Sequence, residues 1–223
     1  MLGSIFVVLE LIYSYMKYIK RFESIVTKLN YSHKRLKYLD NLPSTLIELD
    51  CSYNDLESLP ELSNGLTFLG CSHNELESLP ALPKSISVIM CDNNGIVSLP
   101  ELPIVLRFLN CTQNKLVSLS ELPNGLTFLG CYHNELESLP ALPGTLKTLY
   151  CSNNNLLELP KLPHGLEHLS CSDNNLSELP ILPESLIYLS CSGNNLPYED
   201  LDSYNKWLEI NHPITFNSRK FNI

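Results

Sequence analysis

From Leu39 onward the apolar positions return at a fixed interval of 20 residues, and eight units fill 39–198 with no insertion. A representative unit is LPALPGTLKTLYCSNNNLLE, 139–158. Its step LxxLxC, as in Leu146, Leu149 and Cys151, alternates inward apolar side chains with outward ones, which suits a short strand. Three residues after each cysteine stands an asparagine, from Asn54 to Asn194. There the chain must turn while its amides stay paired, and a carboxamide that donates and accepts can bridge one coil to the next. The return segment is typically LPxLP, as in Leu139, Pro140, Leu142 and Pro143. Proline fixes φ and removes a donor, so this side should run extended or polyproline-like instead of helical.

Such a period predicts a solenoid, in which each unit buries its apolar face only against its neighbours. The parallel sheet lies on the concave side and the proline-rich segments on the convex side. Residues 23–38 fit the frame loosely as a degenerate first repeat, with Val26, Leu29, Tyr31 and Leu36 in apolar slots and Lys34 in place of the asparagine. Solenoids need end caps. Residues 1–22 read as an amphipathic capping helix, because Leu2, Ile5, Phe6, Leu9, Ile12, Tyr13 and Met16 recur at helical spacing before Lys17, Lys20 and Arg21. Val7 and Val8 widen that apolar face, so membrane contact through residues 1–21 is the less favoured alternative. The stretch has Glu10 in its middle, no basic leader and too few residues for a span. At the other end, residues 199–223 read as a helical cap and tail. Leu201, Tyr204, Trp207 and Leu208 come after Pro197 at helical spacing, and His212-Pro213 marks the stop.

The whole pattern, LPxLPxxLxxLxCxxNxLxx, resembles the short leucine-rich repeats of the IpaH and YopM bacterial effectors. The cysteine-bearing form, together with the tail LPYEDLDSYNKWLEINHP, is similar to leucine-rich-repeat proteins of mimivirus-like giant viruses that infect amoebae. The resemblance implies a leucine-rich-repeat solenoid and an intracellular interaction role, with a host protein as one conceivable partner. IpaH effectors add a ubiquitin-ligase domain with a catalytic cysteine after their repeats. Here 25 residues come after the last repeat and all eight cysteines belong to the array, so ligase activity is not expected to transfer.

The cysteines fall at 51, 71, 91, 111, 131, 151, 171 and 191, the same position of every unit. Stacked strands would set neighbours about 4.8 Å apart, with side chains parallel and poorly oriented for bridging. Reduced, buried thiols in an intracellular protein are therefore expected. No CxxC spacing occurs, and His73 and His133, three coils apart, would be separated by roughly 14 Å. No metal or other cofactor is expected, and no phosphate loop or nucleophile elbow suggests catalysis.

The formal charge is -9, with the basic excess confined to residues 1–40. Four rows of the unit, the third, fifth, seventh and eighth positions of LxxLxCxx, are expected to face the concave side. They hold no Lys or Arg, and their acids are Glu48, Asp50, Asp92 and Asp173. That argues against nucleic acid. The third row contains Phe68, Val88, Phe108, Phe128 and Tyr188; the others add Tyr150, Tyr132, His73 and His133. An uncharged aromatic stripe has the composition of a protein-binding core. These nine residues are the candidate contact set of a non-enzymatic protein–protein interaction module. The alternatives are a self-assembling structural protein and an adaptor subunit of a larger, for example ubiquitin-ligase, complex. Residues 64–83 and 124–143 are nearly identical, so a three-repeat block was copied, which adds surface without creating a site.

Overall fold

The computed structural model describes residues 26–211. The capping helix expected over 1–22 and the stop at His212-Pro213 lie outside them. Nine three-residue strands, β1 (Lys28–Asn30), β2 (Glu48–Asp50), β3 (Phe68–Gly70), β4 (Val88–Met90), β5 (Phe108–Asn110), β6 (Phe128–Gly130), β7 (Thr148–Tyr150), β8 (His168–Ser170) and β9 (Tyr188–Ser190), form one sheet in sequence order. Every pair is parallel and shifted by 20 residues, so Phe108 lies beside Val88 and Phe128. The degenerate repeat contributes β1, and Leu29, Tyr31 and Leu36 pack partly buried against the core.

One residue of each strand points inward. Leu49, Leu69, Ile89, Leu109, Leu129, Leu149 and Leu169 are wholly buried, with Leu46, Cys51 and Leu56 and their counterparts stacked around them. The strands are shorter than the sequence suggests: they end before the cysteine, well short of the asparagine. Backbone pairing between coils continues nonetheless, with Cys111 N–H donating to Gly130 O at 2.8 Å and Gln113 N–H to Tyr132 O at 2.9 Å. The convex return carries no helix or strand among the described residues. It closes through a turn in which Leu106 N–H donates to Pro103 O at 3.0 Å, repeated as Leu126 to Pro123 and Leu146 to Pro143. Proline serves here through its carbonyl, the one backbone hydrogen-bonding group it keeps.

The asparagines do what the sequence asks of them. Asn114 Nδ2 donates to Cys91 O and Cys111 O, both at 3.0 Å, and Thr112 O lies 3.1 Å away. Its Oδ1 accepts from Ile96 N–H at 3.0 Å. The same set recurs for Asn54 through Asn194, and in the first coil Lys34 and Leu36 N–H both donate to Asn54 Oδ1.

Helix α1 (Leu201–Asn211) closes the last coil. Asp200 caps it, accepting from Ser203 N–H at 2.7 Å and from the Ser203 hydroxyl at 2.6 Å, and these bonds hold its carboxyl below the usual carboxylate range. Under the helix, Tyr198, Tyr204 and Trp207 form an aromatic cluster with centroids 4.9, 5.3 and 6.3 Å apart. Tyr198 stands outside the helical spacing that marks this cap, yet it is more buried than Trp207, and burial pushes its phenol up to about 12. Trp207→Ala should lower the urea midpoint by an amount equivalent to about 2 kcal/mol and promote aggregation. An unchanged midpoint would mean that Trp207 does not seal the end.

Candidate functional site

Each strand presents its first and last residues outward, on either side of the buried middle one. The first residues form the row Lys28, Glu48, Phe68, Val88, Phe108, Phe128, Thr148, His168 and Tyr188, with Lys28 paired to Glu48 at 2.7 Å. In-register parallel strands place identical side chains one strand spacing apart, which is close to a ring-stacking distance. The rings of Phe108 and Phe128 accordingly stack with centroids 4.2 Å apart and planes within 6°.

The last residue of a phenylalanine's own strand matters as much as the ring beside it. In β3 and β6 the sequence is Phe-Leu-Gly, and a Cβ added at Gly70 or Gly130 would sit 3.2 Å from Cε1 of Phe68 or Phe128. The missing side chain thus lets the ring lie back along its own strand. Beyond Gly130 the same row holds Tyr150, whose ring meets Phe128 edge-on at 5.7 Å and 90°. Phe68, Val88, Phe108, Phe128 and Tyr150 are all half-buried and make an apolar band along the sheet.

Past that band, Tyr132, Tyr150 and Tyr188 converge with His168, Ser152 and Ser170 around an open cleft of about 360 Å³. Tyr132 and Tyr188 are exposed. The Ser152 and Ser170 hydroxyls are hydrogen-bonded to each other at 2.8 Å. Tyr132 also leans on His133, at 5.5 Å. The contact set expected from sequence omits Ser152, His168 and Ser170, although all three occupy the same outward rows.

The eighth row has a backbone conformation of its own. Tyr53, His73, Asn93, Gln113, His133, Asn153 and Asp173 all have φ between 51° and 58°, and Gly193 has 66°. These residues lie in left-handed turns beyond the strands and form a ridge along one margin of the sheet. Asn, Asp, His and Gly are the side chains that tolerate this region best, and their recurrence there is the sequence signal for it. His73 belongs to this series. It stacks on Tyr53 at 4.2 Å, and Tyr53 on His33 at 4.3 Å. Its Nε2 is 3.9 Å from Asp92 Oδ2, and Asp92 Oδ1 accepts from Ser72 and Asn110 at 2.6 and 2.9 Å.

All eight cysteines are free and buried. Cys51 and Cys111 donate through Sγ to the carbonyls of Gly70 and Gly130 in the next coil, each at 3.3 Å. Burial pushes the Cys51 thiol up to about 12 and those of Cys71, Cys91, Cys111, Cys131 and Cys151 well above their ordinary range. Among the described residues no three His, Cys, Asp or Glu side chains gather as metal ligands would, and no helix is long and apolar enough to cross a membrane.

The family model described as Leucine Rich Repeat matches residues 145–166. No curated protein matches the chain. Among solved structures, YopM from Yersinia enterocolitica is 44% identical with a TM-score of 0.71, over 72% of this chain and 36% of that one. YopM from Yersinia pestis, a leucine-rich effector, is 32% identical at TM-score 0.65, over 77% of this chain and 62% of that one. The chain thus spans less than two thirds of the length of either. A Shigella effector leucine-rich-repeat domain is 32% identical at TM-score 0.61, over 69% of this chain and 71% of that one. With a repeat unit, a register and a sheet that agree throughout, the chain belongs to the leucine-rich-repeat family, and its repeats are similar to those of bacterial effectors.

Proposed function

We propose that this solenoid is a non-enzymatic interaction module that holds a protein partner on its concave face, with the Phe68–Val88–Phe108–Phe128 row and Tyr150 at the centre of contact. The observation that carries the reading is the apolar band itself. Interior packing accounts for the leucines and cysteines, but the outward rings serve no coil's core. Phe108 and Phe128 stack on each other and Phe128 meets Tyr150 edge-on, so these three rings have less side-chain entropy to lose when a partner covers them. Leucine-rich-repeat solenoids are typically scaffolds for interaction and not for chemistry. Phosphate recognition is disfavoured by outward positions of β2–β9 that hold no Lys or Arg, and the buried thiols suit a reducing, intracellular setting.

The test replaces Phe108 and Phe128 together by serine. Both are only half-buried, so circular dichroism and the sedimentation of the monomer should stay as in the parent. Capture of a partner from cell lysate should fall at least about tenfold, the loss typical of two central aromatic contacts. Full capture by the folded double variant would overturn the assignment. Concentration-dependent self-association that the double variant abolishes would instead make the face a contact between copies of this chain.

A further inference from the structure

We propose that the cleft between Tyr132, Tyr150 and Tyr188 seats an arginine side chain presented by a basic segment of the partner. This rests on the reading of the concave face as a protein-binding surface and names what one part of that surface selects.

Three observations converge on a planar cation. The first is the lining: three phenol rings and the His168 ring surround the cleft, with the paired hydroxyls of Ser152 and Ser170 beside them. Aromatic faces attract a cation through their quadrupole, and hydroxyl oxygens accept from N–H donors, whereas no Lys or Arg lines the cleft to hold an anion. The second is charge. The chain carries -9 in all, the outward positions of β2–β9 hold no Lys or Arg, and Asp173 stands just beyond β8. Lys147, immediately before β7, is already paired with Glu167 at 2.8 Å. Tyr150 meets Phe128 edge-on and Tyr188 tilts against His168 at 6.3 Å, and the exposed Tyr132 and Tyr188 rings still offer faces to an incoming cation.

The third is shape and hydration. The cleft is open and its walls are mainly carbon, so an occupant must shed water at little cost while offering several donors in one plane. A guanidinium is weakly hydrated, stacks on aromatic faces and presents five N–H donors in a rigid fork; an ammonium is a compact, strongly hydrated point charge. The apolar band from Phe68 to Phe128 would then take the hydrophobic part of the same partner, with the basic residue falling two or three strands further along the array, roughly 10–15 Å away.

The experiment uses the full chain with its tyrosine rings isotopically labelled, titrated with the blocked pentapeptide Gly-Ser-Arg-Ser-Gly. Saturable ring shifts are expected at Tyr132, Tyr150 and Tyr188. Replacing the arginine by citrulline, the same shape without the charge, should weaken the response at least about tenfold, and lysine should be weaker than arginine. Tyr188→Leu, at an exposed position, should weaken it similarly while leaving the fold intact. Equal responses to arginine and citrulline, or to arginine and lysine, would overturn the proposal, as would shifts confined to other tyrosines. The titration needs no partner. Its failure alongside loss of capture in the Phe108/Phe128 variant removes only the arginine seat; success alongside full capture removes the central band as the contact.

Discussion

At pH 8 the native protein should release almost no colour from an aqueous disulfide reagent, and all eight cysteines should react together once urea carries the chain through unfolding. The expectation rests on two consequences of burial. No cysteine side chain is reached by solvent, since every one is wholly buried in the core beside others of its own kind. Burial also stabilises the protonated form. At Cys51 the shift from 9.0 to about 12 lowers the thiolate fraction about a thousandfold, and the thiolate is the nucleophile.

The same shift makes stability depend on pH in one sense only. A thiol whose folded pKa exceeds its unfolded value keeps a proton that the unfolded chain gives up. Its contribution is complete below about pH 9 and is lost as the pH rises toward 12, at about 1.4 kcal/mol per pH unit for each such thiol. With the thiols of one row acting together, alkaline unfolding should be steep, and Cys111→Ala should make it shallower at the expense of a small cavity. Rapid labelling of the native protein at pH 8, or an alkaline transition unchanged when cysteines are removed, would contradict a buried, protonated thiol row.

Asn114→Leu is expected to cost about 2–3 kcal/mol, more than the size of one side chain suggests. The replacement fills similar space. It leaves Ile96 N–H without the acceptor it has at 3.0 Å, and takes one of two asparagine donors from each of the Cys91 and Cys111 carbonyls, which keep Asn94 and Asn134, in a place where Asn114 itself is only 9% exposed. The unmet buried N–H sets the size of the effect. Asn155→Ala, at an exposed position two repeats further on, should change stability by no more than about 0.5 kcal/mol and serves as the control. A similar small shift for Asn114→Leu would show that the carboxamide row is dispensable.

The inward half of the molecule is legible in the sequence because a strict period repeats the same signal in every unit. Leu49 and its counterparts, the cysteines and the asparagines each have one environment, and the sequence states it again in every coil. The outward half carries no such redundancy. Phe128 owes its posture to Gly130 on its own strand and Phe108 on the next, which are relations between particular residues. The cleft needs Tyr132 from beyond β6 together with Tyr188 from β9, a convergence between residues of different coils that no single repeat contains. The left-handed backbone at His73 and its counterparts does not follow from simple alternation. The preference of such turns for Asn, Asp, His and Gly is present in the composition of the row. At the carboxyl end, the periodic apolar residues announce α1, while Tyr198, which precedes it, belongs to no helical pattern and becomes visible only in the packing.

Every asparagine reaches into the coil before its own: Asn114 accepts from Ile96 N–H and shares the Cys91 carbonyl with Asn94, and Asn134 accepts from Leu116 N–H and shares the Cys111 carbonyl with Asn114. The array is consequently polar in its tolerance of trimming. Removing repeats from the amino end takes away asparagine donors together with the groups they served, and the next coil keeps its own lock. Removing them from the carboxyl end strips a lock from a coil that stays behind. At the natural end of the series Glu199 O takes the Cys191 N–H at 2.8 Å, so the chain turns back to supply what a further strand would have given. Fraying should therefore start from the carboxyl side whenever that closure is lost, and nested deletions would reveal the arrow: stepwise shortening tolerated from one side, abrupt failure from the other.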